Sequence, residues 1–246
     1  MNTEIYSTPH RSEIKLIIVL PTYNERDNIV RFIPKILNIL QTDILIIDDN
    51  SPDETGKYAD MLAEKHAEVF VLHRAKKMGL GSAYVQGFQW ALQQGYEYIA
   101  QMDSDFSHDP HDLPLLIKAL ENADLAIGSR YISGGGIKNW PWYRLAVSQF
   151  GSFYSRSILN APIRDLTGGF KIWKRNVLEK IQLDKILSDG YTFQIETTFR
   201  ALKSGFKIKE VPIIFKDRTR GKSKISRRVV WEAIVLVWKL RFSRKK

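Results

Sequence analysis

The 246-residue chain contains no cysteine, which excludes disulfide frameworks, Cys-ligated zinc, iron–sulfur clusters and thiol nucleophiles. Any chemistry must therefore use oxygen and nitrogen groups. A low-complexity tract is also missing, and 44% hydrophobic with 11% aromatic residues is enough apolar material for a full core. No apolar run is long enough to cross a bilayer. The best candidate, residues 229–240, would span roughly 18 Å as a helix against roughly 30 Å of hydrocarbon. Residues 1–12 are polar and the first apolar run, 14–20, is short, so no secretory leader is expected. Most of the chain carries no charge excess either. Of 37 basic and 27 acidic residues, 12 and 2 fall in 216–246, so that segment holds the entire net charge of +10. A basic segment of this kind attracts phosphates of nucleotides, nucleic acids or anionic lipids, unless it is only a solvated tail.

What is present reads as an α/β domain. Short apolar runs at 14–20, 44–48, 69–72, 98–102 and 125–128 alternate with amphipathic stretches at 28–40, 55–66, 82–94 and 113–121, the pattern of a parallel sheet covered by helices. After residue 128 the alternation weakens. A glycine-rich break at 133–136 reads as a mobile loop, followed by helices over 143–159 and 192–204 and strands over 169–173 and 207–214. Residues 229–240 suit an amphipathic helix that either lies at a membrane interface or docks on the domain's own core. In such sheets ligands bind beyond the carboxyl ends of the strands.

Those strand ends are polar. Asp103-Ser104-Asp105 follows the fourth apolar run, and two carboxylates one residue apart repel each other unless a cation offsets them, which suits Mg²⁺ or Mn²⁺ bridging to a phosphate. An Asp-rich turn before a helix is the plainer alternative. Asp48-Asp49 ends the second run and Pro21-Thr22-Tyr23-Asn24-Glu25 the first. Three successive strand ends with acids or acceptors suit the base and ribose of a nucleoside together with a metal. Two lookalikes fail: Gly79-Leu80-Gly81 has Tyr84 where a dinucleotide fingerprint needs its third glycine, and Gly221-Lys222-Ser223 has Lys216 where a P-loop needs its first. His108 and His111 read as surface residues near a helix start.

With their spacing, these segments resemble the dolichyl-phosphate (polyprenyl-phosphate) mannosyltransferases: Pro21-Thr22-Tyr23-Asn24-Glu25, Asp48-Asp49-Asn50-Ser51-Pro52-Asp53, Gly79-Leu80-Gly81-Ser82-Ala83, Met102-Asp103-Ser104-Asp105 and Gly128-Ser129-Arg130-Tyr131. The likeness continues through Asp165-Leu166-Thr167-Gly168-Gly169-Phe170, Gly190-Tyr191-Thr192-Phe193-Gln194 and Asp217-Arg218-Thr219-Arg220-Gly221-Lys222-Ser223-Lys224. It implies a GT-A glycosyltransferase fold and inverting transfer of mannose from GDP-mannose to a polyprenyl phosphate, with a UDP-sugar donor as the alternative. On that resemblance Pro21, Tyr23, Glu25 and Asp49 would contact the nucleoside. Asp103, Ser104 and Asp105 would serve the donor, with Asp103 and Asp105 at Mg²⁺ or Mn²⁺. Arg130, Arg144 and Ser148 would hold the acceptor phosphate, and Arg218 and Lys224 would close over the pyrophosphate. An acceptor that is already an anion needs no general base; Asp165 is the residue to examine were the acceptor a hydroxyl.

The expected organisation is a catalytic domain over 1–228 and a basic amphipathic helix over 229–246, within the same domain or membrane-associating. Expected partners are the nucleotide sugar and a polyprenyl phosphate in a membrane. Some relatives continue into transmembrane helices beyond the point where this chain ends, so attachment is expected through the amphipathic end alone or through a small membrane subunit. The expected location is cytoplasmic, peripheral on the cytosolic membrane face. No nucleic-acid partner is expected, since the basicity rests on one tail without a recognition motif.

Overall fold

The computed structural model describes residues 15–186, 188–217 and 227–242. Its first strands are near-continuous apolar runs because both faces are covered. In β1 (Leu16–Thr22) and β2 (Asp43–Asp48) successive side chains point to opposite sides. Ile17, Val19, Leu45 and Ile47 enter one core, and Leu16, Ile18, Leu20, Ile44 and Ile46 the other. Each such burial contributes roughly 1.5–3 kcal/mol. Helix α1 (Arg26–Ile39) covers the second face with Ile29, Phe32, Ile33 and Ile36, spaced to fall on one stripe.

The remaining elements are α2 (Thr55–Lys65), β3 (Val69–His73), α3 (Leu80–Gln93), β4 (Tyr98–Gln101), α4 (Leu113–Ala119), β5 (Leu125–Ser129), β6 (Gly136–Lys138), α5 (Trp142–Leu159), β7 (Lys171–Lys174), α6 (Arg175–Lys180), α7 (Gly190–Lys203), β8 (Ile208–Pro212), β9 (Ile214–Lys216) and α8 (Arg227–Phe242). The main sheet runs β3-β2-β1-β4-β7-β5-β8, and only β7 is antiparallel to its neighbours. The chain proceeds from β1 outward through β2 and β3, then returns to place β4 on β1's other side. That reversal leaves a crevice outside the carboxyl ends of β1 and β4.

Three expectations change. The strand expected over 207–214 is two strands, β8 in the main sheet and β9 paired with β6 in a second, two-stranded sheet. The 133–136 stretch is not wholly loop, because Gly136 opens β6 and pairs with Ile214. The strand anticipated over 169–173 begins at Lys171 and runs against its neighbours, an orientation that apolar periodicity does not encode. As for α8, it packs against α5 and α7, with Val237 fully buried and Leu240 nearly so, while Trp238 and Phe242 face outward. The core-docked reading thus accounts for one face of this helix.

The inner aromatic layer is anchored by Phe88, fully buried, with its ring 5.7 Å from Tyr84, 6.3 Å from Trp173 and 6.5 Å from Phe193. Phe88→Ala should cost about 3–5 kcal/mol in urea unfolding. Leu115→Ala, at a half-exposed position on α4, should cost a small fraction of that.

Candidate active site

The loops after β1 and β2 are laced to each other. The backbone N–H of Asn24 donates to Ser51 Oγ (3.1 Å), that of Glu25 to Thr55 Oγ1 (2.9 Å) and that of Arg26 to Asp53 Oδ2 (3.2 Å). Asp53 sits below the ordinary carboxylate range: burial pushes it up, but Thr55 and Arg26 outweigh that by donating hydrogen bonds. Asp48 holds its own turn, accepting from Ser51 N–H at 3.0 Å and Ser51 Oγ at 2.5 Å. Asp49, the other acid of the pair beside the crevice, is also buried, at 6% exposed. Pro21, Tyr23 and Glu25 are all part-exposed there, and Lys77 Nζ lies 3.7 Å from the centre of the Tyr23 ring.

Asp49 has a partner that sequence reading missed. Arg74, just beyond β3 and 4% exposed, places Nη1 2.8 Å from Asp49 Oδ1, although neither that oxygen nor Arg74 Nε has an aligned hydrogen bond. Burial raises the Asp49 pKa and Arg74 opposes the rise. Arg74 Nη2 also donates to Ser82 Oγ (2.6 Å), so it ties the Asp49 loop to the start of α3. The glycines there serve packing. Gly79 has φ +98°, and a Cβ on it would lie 2.3 Å from Asp189 Oδ2. Asp189 instead approaches closely enough to accept from the Gly81 N–H at 2.6 Å. The first turn of α3 thus binds a carboxylate of this chain.

At the end of β4, Asp105 and Ser104 are buried and Asp103 is part-exposed. Asp105 Oδ1 accepts from Ser107 N–H (3.0 Å) across Phe106, which adopts φ +64°. A bulky side chain in that region is strained by roughly 1–3 kcal/mol, and Phe106 is held there by edge contact with Phe32 at 4.8 Å. His108 corrects the sequence reading: it is 2% exposed, stacked on Phe170 at 5.1 Å, and its Nδ1 accepts from the Asp103 backbone N–H at 3.1 Å. Burial lowers its pKa, and a neutral ring with an accepting Nδ1 fits that position. His111 is exposed, as expected, and pairs with Asp109.

The donor set at Asp103 and Asp105 fits a hard divalent cation. Both carboxylates are oxygen donors one residue apart, and Ser107 Oγ, two residues beyond Asp105, is buried without a partner. Among the described residues no group of three or more His, Cys, Asp or Glu side chains could hold an ion alone, so ligand oxygens would complete the shell.

At the end of β5, Arg130 is 6% exposed and Asp165 0%. Arg130 donates from Nε to Asp165 Oδ2 and from Nη2 to Oδ1, both at 2.7 Å, from its backbone N–H to Oδ2 at 3.0 Å, and from Nη2 to Thr167 Oγ1 at 2.8 Å. Thr167 Oγ1 adds a bond to Oδ1 at 3.2 Å. Burial alone would push both groups toward neutrality, but each holds the other charged: Arg130 is raised and Asp165 lowered. Both oxygens of Asp165 are taken and held ionised, so it is not placed to act as a general base. Helix α5 brings Ser148 alongside, accepting from Tyr131 Oη at 2.7 Å, and Arg144, whose Nη1 donates to Asp217 Oδ1 at 2.8 Å above the Trp140 ring. Arg218 and Lys224 lie outside the described residues.

The model of the family described as "Glycosyl transferase family 2" matches residues 17–182. A polyprenol monophosphomannose synthase of Mycolicibacterium smegmatis is 45% identical over 232 residues, 92% of this chain and 88% of that protein. An undecaprenyl-phosphate mannosyltransferase of Micrococcus luteus is 43% identical over 225 residues, 91% of this chain and 93% of that protein. Among solved structures, glucosyl-3-phosphoglycerate synthase from Mycobacterium tuberculosis, in complex with Mn²⁺, UDP and glucosyl-3-phosphoglycerate, superposes with TM-score 0.69 at 17% identity over 96% of this chain and 83% of that one. A mannosyltransferase from Pyrobaculum calidifontis, in complex with GDP-Man and Mn²⁺, gives 0.63 at 15% identity over 97% and 67%.

Removing the Asp165 charge strands a buried guanidinium, so Asp165→Asn should cost about 3–5 kcal/mol at pH 7. Since its folded pKa lies below the unfolded value of about 3.9, the carboxylate's contribution is complete above that pH and is lost as pH falls through the folded pKa. Urea unfolding at stepped pH should therefore show the gap between wild type and Asp165→Asn narrowing only on the acid side of about pH 4.

Proposed function

This chain belongs to glycosyl transferase family 2, and on that premise we propose that it transfers mannose from GDP-mannose to a polyprenyl phosphate with inversion. The observation that carries the proposal is the convergence, at the carboxyl ends of the parallel strands, of polar loops after β1 and β2, an Asp-x-Asp pair and a buried arginine. It is supported by two relatives above 40% identity, one named a polyprenol monophosphomannose synthase and the other an undecaprenyl-phosphate mannosyltransferase. We take α8 as part of the same catalytic unit.

Pro21, Tyr23, Glu25 and Asp49 bind the nucleoside, with Arg74 fixing Asp49 in place. Asp103 and Asp105 bind a divalent cation, Mg²⁺ or Mn²⁺, which when bound neutralises charge on the departing nucleoside diphosphate. Ser104 backs them, and Arg218 and Lys224 supply positive charge over the pyrophosphate. Arg130, its planar fork braced by Asp165, directs its remaining donors to the acceptor phosphate together with Arg144 and Ser148. The acceptor is an anion near neutral pH. Alignment of its oxygen with the anomeric carbon is the main requirement, and the absence of a general base among these side chains is consistent with it.

The acceptor's chain resides in a bilayer, and α5 and α8 are built to meet one. Among the described residues no helix is long and apolar enough to cross a membrane. Yet α5 exposes Trp142, Tyr143, Phe150 and Phe153, and α8 exposes Trp238 and Phe242, with Trp238 Nε1 donating to Tyr154 Oη at 3.0 Å between the helices. Aromatic faces rimmed by basic residues insert at the headgroup level and give peripheral attachment to the cytosolic leaflet.

Labelled mannose should move from GDP-mannose to polyprenyl phosphate with Mn²⁺ or Mg²⁺, and Asp105→Ala should abolish it. Transfer from UDP-glucose alone would replace the donor. In vesicle flotation the double variant Phe150→Ser, Phe153→Ser should lose binding to anionic vesicles while keeping transfer to a detergent-dispersed acceptor. Full activity of the pure protein on vesicles would remove any need for a membrane subunit.

A further inference from the structure

One buried polar chain has no part in the mechanism so far. Trp173 Nε1 donates to Gln101 Oε1 at 3.0 Å, Gln101 Nε2 donates to Gln194 Oε1 at 2.9 Å, and Lys171 Nζ donates to the same oxygen at 2.8 Å and to the Gln194 carbonyl at 3.0 Å. All four residues are buried. An indole N–H can only donate, so Trp173 fixes which end of the Gln101 amide faces it, and Gln101 in turn fixes Gln194. The Gln194 oxygen is doubly engaged and turned inward. Its Nε2 is the end left over, and no described residue accepts from it.

That Nε2 faces the site. It lies 3.8 Å from where a Cβ on Gly169 would stand, and Asp103 Oδ2 lies 3.9 Å from the same point. Gly169 is part-exposed, so an open floor separates an amide donor from the carboxylate. The sheet order tells what occupies it. Lys171, two residues on, pairs with Gln101 at the end of β4 and with Ile127 in β5, so β7 begins between the two. The nucleoside residues stand over β1 and β2, the Asp-x-Asp pair over β4 and Arg130 over β5. The group between diphosphate and acceptor in the reaction is the sugar, and the strand between them in the sheet is β7.

We propose that Gln194 donates from Nε2 to a hydroxyl of the donor's sugar, with Lys171, Gln101 and Trp173 as positioning residues that hold the amide in that sense. The assignment rests on the glycosyltransferase reading above.

The test is equilibrium binding of GDP-mannose and of GDP, each with Mn²⁺, to wild type, Gln194→Glu, Gly169→Ala and Lys171→Met. Gln194→Glu keeps the shape and the inward acceptor but removes the outward donor. Gly169→Ala fills the floor at ordinary contact distances, 3.5 Å or more from its neighbours, so it folds as wild type. Each of the three should weaken GDP-mannose about tenfold while GDP stays within about twofold, and KM for the donor should rise more than kcat falls. A general loss of structure in Lys171→Met would weaken both ligands alike, whereas misorientation of Gln194 weakens only the sugar nucleotide. Equal loss for GDP and GDP-mannose in Gln194→Glu would overturn the proposal by assigning the amide to the diphosphate; unchanged binding of both would overturn it outright. Wild type that binds neither of these nor UDP and UDP-glucose would defeat the glycosyltransferase reading, a result distinct from either.

Discussion

A guanidinium and a carboxylate buried against each other, Arg130 and Asp165, fix the end of β5 in this molecule. Neither could be buried alone, because an isolated charge in the interior costs several kcal/mol. Together they join the end of β5 to the 160–170 segment. Glu210 of β8 completes the joint by accepting from Ser129 Oγ and from the backbone N–H groups of Arg164 and Asp165. Such a pair adds less to stability than its contacts suggest, since desolvation offsets most of the attraction. Its value lies in geometry: a bidentate fork admits one orientation, and the guanidinium edge that remains is aimed by the protein before any ligand arrives.

The antiparallel strand β7 is the second constraint. Inserted between β4 and β5, it separates the Asp-x-Asp pair from the arginine by one strand position and brings its own beginning, with Gly169 and Lys171, to the end of the sheet where its neighbours finish. The Asp-x-Asp pair and Arg130 are spaced by backbone hydrogen bonding, the most rigid ruler in the fold. Most side chains at such a junction find partners away from water, as Asp48 does in its own turn and Gln101 does between Trp173 and Gln194.

Much of this was legible in the sequence because apolar runs buried on both faces have no other good explanation, and because polar residues immediately after such runs fall at one edge. The strands through β5 and the helices between them fell within a few residues of their expected positions. What was hidden depended on contacts between distant segments. The direction of β7 and the division of 207–214 into β8 and β9 are decided by pairing across the sheet, not by local pattern. His108 looked like a surface residue because its neighbours are polar, yet Phe170 and Phe215 close over it. Arg74 carried no signal, since its partner Asp49 lies 25 positions earlier. Gln194 stood within a recognised motif, but only the indole of Trp173 reveals which end of its amide looks outward.

The carboxylate of Asp189 at the first turn of α3 has a consequence for how specificity can change. In many nucleotide-binding folds the start of such a helix is the main anion receptor, and its backbone N–H groups grip any phosphate without regard to what is attached. Here that receptor is filled from within, by the chain's own acid on the Gly81 N–H. With that N–H occupied, recognition of a phosphate near α3 would fall to side chains, which mutation can edit, and not to this backbone group, which it cannot. A scaffold so arranged can exchange one nucleotide sugar for another by substitutions in the crevice, with the helix and its glycines left as they are.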